Sequence, residues 1–103
     1  MRIKNNAVNL QGLRPEMVIG LMVANGVYIA HGKDMVITCA LDGKHSVTSL
    51  HYAGCAVDLR TNYFTKLTAI KVRDEIKERL GIDFDVILES DHLHIEYQPR
   101  WKG

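Results

Sequence analysis

The chain reads as an α+β domain, with helices packed on one face of a mainly antiparallel sheet. Three observations predict this. Two segments carry apolar residues at helical spacing, one after Pro15 and one from Phe64 to Leu80. Four short runs are rich in β-branched residues or alternate, and turn residues bound them. The order is helix, strand, strand, helix, strand, strand, without the regular alternation that builds a parallel sheet. At 103 residues with 47% apolar and 24% charged side chains, the expectation is one compact domain over residues 1–103.

Residues 5–13 read as an irregular lead-in. Pro15 suits the first position of a helix, where its missing N–H is no loss, and Met17, Val18, Leu21 and Met22 fall on one stripe. Asn25-Gly26 reads as the natural stop. Val27 to Ala30 fits either a short strand or a continuation of the helix. Met35 to Ala40, between Gly32-Lys33-Asp34 and Asp42-Gly43, reads as a buried strand. A polar loop, Lys44 to Thr48, precedes a strand from Cys55 to Arg60. Alternation there turns Val57 and Leu59 to the core, and places Gly54, Ala56 and Asp58 on the other face as an open floor. Thr61 or Asn62 is expected to cap the second helix, whose apolar side holds Leu67, Ala69, Val72, Ile76 and Leu80. Its charges read as a solvated face, with Glu75 and Arg79 at supporting spacing, and Gly81 ends it. Two strands close the fold, Phe84–Glu89 and Leu93–Tyr97, joined tightly through Ser90-Asp91.

Composition narrows function by exclusion. A net charge of +1, with acids and bases mixed, gives no basic surface for nucleic acid. The longest apolar run, Met17 to Ala30, is too short to span a bilayer, so no membrane insertion is expected. The first residues lack the pattern of a signal peptide, which implies synthesis as a cytoplasmic protein. Cys39 and Cys55 are too few for a disulfide framework and read as buried thiols.

Two stretches carry candidate chemistry. Ser49 to Asp58 holds His51 and Asp58 around small residues; Glu89-Ser90-Asp91-His92-Leu93-His94 places two rings on one face of a strand behind two carboxylates. Each is weak alone. Together they offer two imidazoles and a carboxylate, a ligand set for catalytic zinc that leaves a fourth position for water. A further acid beside it would act as general base.

The pattern Ser49-x-His51-x-x-Gly54-x-Ala56-x-Asp58 resembles the signature of zinc peptidases that include D-alanyl-D-alanine carboxypeptidases and phage L-alanyl-D-glutamate endopeptidases. The Hedgehog signalling domain shares that fold and motif, and Glu89-Ser90 with His92-Leu93-His94 is similar to its second metal segment. The resemblance covers the last half of the chain. It implies zinc held by His51, Asp58 and His94, and hydrolysis of a peptide bond in peptidoglycan peptides. It implies Asp91 as the base by spacing, with Glu89 the runner-up, and His92 beside the oxyanion. Ser49 would touch substrate. The arginine that many members carry upstream of the motif is missing, so Lys44, His45 or Arg60 would take its place; Leu93 stands where a tryptophan is frequent. Without a signal peptide, the protein would reach the wall with a phage partner or as a virion component, or act as a dipeptidase inside the host. Two other classes compete: a zinc-binding interaction module without turnover, and a non-haem iron oxygenase with a His-His-carboxylate triad.

Overall fold

The computed structural model describes residues 1–5, 8, 10–40 and 55–98. It is an α+β fold in which two helices pack on a five-stranded sheet. In chain order the elements are β1 (Arg2–Ile3), α1 (Pro15–Ala30), β2 (Val36–Cys39), β3 (Ala56–Arg60), α2 (Lys66–Leu80), β4 (Phe84–Leu88) and β5 (His92–Tyr97). The sheet order is β1-β2-β3-β5-β4, with only the β1/β2 pair parallel. β1, only two residues long, shows no periodicity in sequence. It is defined by pairing alone, with the Arg2 and Lys4 amides donating to the Met35 and Ile37 carbonyls.

One apolar cluster lies between the helices and one sheet face. Met17, Leu21, Ala24, Val27 and Tyr28 of α1 and Val72 and Ile76 of α2 meet Ile37, Val57, Leu59, Val86, Leu93 and Ile95. The parity expected of β3 therefore holds for Val57 and Leu59. Burying Tyr28 requires a partner for its hydroxyl, and it donates to the Arg60 carbonyl at 2.9 Å. That bond ties the middle of the fold to the end of β3.

Several local expectations are corrected. α1 does not stop at Asn25-Gly26 but runs to Ala30, because burial of Val27 and Tyr28 beyond the glycine offsets its weak helix propensity. The chain turns instead at Gly32, whose φ of 76° suits a residue without a Cβ. Val18 and Met22 are 46% and 63% exposed; the buried stripe passes through Met17, Leu21, Ala24 and Tyr28. Thr65, not Thr61 or Asn62, caps α2, accepting from the Thr68 amide at 3.1 Å. Thr61 is buried and Leu67 exposed. Glu75 meets His31 at 3.1 Å, joining α2 to the end of α1. Gly81, with φ of 80°, ends α2 as expected. Cys55 is buried and Cys39 half-buried.

Candidate functional site

The sheet face turned away from the helices carries the polar residues. β3 and β5 are antiparallel in register, pairing Asp58 with His94, Arg60 with His92 and Ala56 with Glu96. Directly paired residues project to the same side. The topology therefore places Asp58, which lies far from His94 in sequence, next to it in space. Ala56 is fully buried on this face, so it does not form the open floor expected of it. Gly54 lies outside the described residues.

A line of alternating acids and imidazoles runs along this face. Asp91 Oδ1 is 2.6 Å from His92 Nδ1, and His92 Nε2 is 3.7 Å from Asp58 Oδ1. Asp58 Oδ1 is 2.7 Å from His94 Nδ1, and His94 Nε2 is 2.6 Å from Glu96 Oε1. Gln98 Nε2 donates to Glu96 Oε2 at 2.6 Å, and Thr38 donates to the Asp58 carbonyl at 3.3 Å. Asp58 and His94 are each 16% exposed, so their interaction is poorly screened.

His94 has a carboxylate at each ring nitrogen. The hydrogen bond to Asp58 is the main cause that raises its pKa above 6.5; burial opposes the rise, and Glu96 adds to it. With both nitrogens protonated, both contacts are satisfied. A neutral ring keeping its proton on the Glu96 side turns a lone pair at Nδ1 towards Asp58 Oδ1, an arrangement that favours a cation between the two atoms. The carboxylate behind the other nitrogen is also the usual support of a metal-bound histidine. Asp58 and His94 thus supply one carboxylate and one imidazole, two of the donors that a catalytic zinc site uses.

His94 lies against Asp58 and does not line the polar cleft; the other residues expected of the site divide into three groups. Asp58, Arg60, Asp91 and His92 line one polar cleft of about 350 Å³, together with Lys4, Thr38 and Asn62. Glu89 lies elsewhere, in a cleft with Thr61, Phe64 and Lys66 on the α2 side. His51, Ser49, Lys44 and His45 fall outside the described residues. Among the described residues, no group of three or more His, Cys, Asp or Glu converges to hold a metal. Sequence reasoning overlooked Glu96 and Lys4. The alternation that aligns His92 with His94 extends one step to Glu96 and could have found it. Nothing in the sequence signals Lys4, which β1 carries to the cleft by pairing with β2.

No protein-family model matches the chain, and no curated protein matches its sequence.

Proposed function

We propose that the protein is a zinc-dependent peptidase that hydrolyses a peptide bond in bacterial cell-wall peptides. The observation that supports this most is the Asp58–His94 pair across β3 and β5 at 2.7 Å, with Glu96 behind the second ring nitrogen. Asp58 and His94, together with His51, would hold the metal. Bound there, zinc supplies Lewis-acid polarisation of the scissile carbonyl and a water with a pKa of about 7.

The chain's own groups divide the remaining work. Asp91, 82% exposed at the cleft, accepts the proton of the attacking water and passes it to the leaving amine nitrogen. Its place beside His92 and Asp58 favours it over Glu89, which faces the other cleft. Asp91 also orients the His92 ring through Nδ1 and leaves Nε2 turned towards Asp58. His92 would stand beside the developing oxyanion as a hydrogen-bond donor. Arg60 and Lys4 are the cations lining the cleft, and they hold a substrate carboxylate where the resemblance would place an arginine.

Two variants test the assignment. Asp91→Asn retains zinc and loses hydrolysis of wall peptides, whereas His94→Ala loses both. Hydrolysis by Asp91→Asn at the wild-type rate moves the base to Glu89; zinc binding by the wild type without turnover on any wall fragment supports an interaction module instead.

A further inference from the structure

The outer face of α1 differs from that of α2. α2 turns Lys66, Lys71, Asp74, Lys77 and Glu78 to solvent, as a surface helix should. α1 turns out Val18, Ile19, Met22, Gly26, Ile29 and Ala30, with no charge among them. Val18, Ile19, Met22 and Ile29 are 46%, 60%, 63% and 61% exposed. Ile19, Met22, Gly26 and Ile29 follow the alternating three- and four-residue spacing of a helix–helix seam. Their apolar surface continues at Val18 into a cleft bordered by Met1, Ile3 and Leu10.

We propose that two copies of this chain form a two-fold dimer by packing their α1 helices antiparallel along this seam. The pattern is complementary to itself in that direction. A pairing centred level with Ala24 sets Ile19 opposite Ile29 of the partner subunit, Val18 opposite Ala30 of the partner subunit, and Met22 opposite Gly26 of the partner subunit. The longest exposed side chain thus meets the position with no side chain. A Cβ built on Gly26 finds nothing within 4 Å in the single chain, so the space above it is open to receive Met22. A parallel pairing would instead oppose Met22 to itself and leave a void at the two glycines, with the packing loss a void brings.

Area agrees with this occupant. Each of the four large side chains leaves on the order of 100 Å² exposed; with the small residues between them, about 600 Å² per subunit, or roughly 1,200 Å² in total, reaches the lower range of specific interfaces. Met1, Ile3 and Leu10, at 50%, 38% and 37% exposure, extend the apolar surface at the end of the seam. A two-fold interface uses one patch twice, so no second surface is required. The polar sheet face lies on the opposite side of the sheet from the helices, so the dimer leaves the candidate site open.

Sedimentation velocity on the full chain, from about 1 µM to 300 µM, covers the dissociation constants that an interface of this size gives. The wild type sediments as a dimer of the 11.6 kDa chain. Met22→Glu places a charge in the seam and leaves a monomer of unchanged circular dichroism, with association weakened about 100-fold or more. Gly26→Leu is the second variant. Its side chain enters open space in the single chain and raises helix propensity, so the monomer folds with unchanged circular dichroism, yet the dimer is weakened because the socket for Met22 is filled. A wild type monomeric over the whole range overturns the proposal, as does a dimer that survives both substitutions. A monomer that binds vesicles of phosphatidylcholine and phosphatidylglycerol through this face also overturns it, in favour of a membrane surface.

Discussion

Glu96 is where the geometry makes its most specific demand. Its Oε1 lies 2.6 Å from His94 Nε2, and its Oε2 accepts from Gln98, so the carboxylate is fixed at both ends and 20% exposed. With a metal at Nδ1 the ring keeps its proton at Nε2, where Glu96 would accept it. Glu96→Ala removes that acceptor. Loss of such a supporting carboxylate weakens metal binding by about 10- to 100-fold, or roughly 1.4–2.7 kcal/mol. Glu96→Gln, whose amide oxygen still accepts from Nε2, should stay close to the wild type. Zinc affinity is measured by competition with a chromophoric chelator, and the ring form of His94 by nitrogen-15 NMR of the zinc-free protein above its pKa. Zinc bound by Glu96→Ala as tightly as by the wild type would show that Glu96 does not support a metal at His94.

The same ring predicts a pH dependence. Its pKa is raised above 6.5 in the folded state, so the folded chain holds the proton more tightly than the unfolded one. In the zinc-free protein this stabilisation is complete below about pH 6.5 and is lost as pH rises through the higher folded-state value; urea unfolding across that window should show a decline that His94→Asn removes. With zinc present the trend reverses, because metal and proton compete for Nδ1, so zinc affinity should increase with pH over that interval. Tyr28→Phe removes the donor to the Arg60 carbonyl and should lower stability by about 0.5–1.5 kcal/mol in chemical denaturation. No change would mean that the carbonyl finds another partner at no cost.

The sequence made the sheet legible wherever alternation ran for several residues. Val57 and Leu59 were placed on the core side and Asp58 opposite them by parity alone, and β4 and β5 by their runs and the turn between them. β1 escaped because a two-residue strand has no period to read. The stop at Asn25-Gly26 was misplaced because a glycine signal is local, whereas the burial of Val27 and Tyr28 that carries the helix onward is tertiary. The resemblance names Asp58 and His94 as ligands of one metal, but their contact depends on the β3/β5 register, which no local pattern encodes. Asp91 and Glu89 were equally available in sequence. They are separated in space because the turn between β4 and β5 directs one to the polar cleft and the other towards α2.

Cleavage of wall peptides with zinc, proposed for this face, is read out by mass spectrometry of purified peptidoglycan incubated with the zinc-loaded protein. New peptide termini should appear with the wild type and be suppressed by chelator, and their chemistry separates carboxypeptidase from endopeptidase. Stem peptides left intact by a protein saturated with zinc would contradict it.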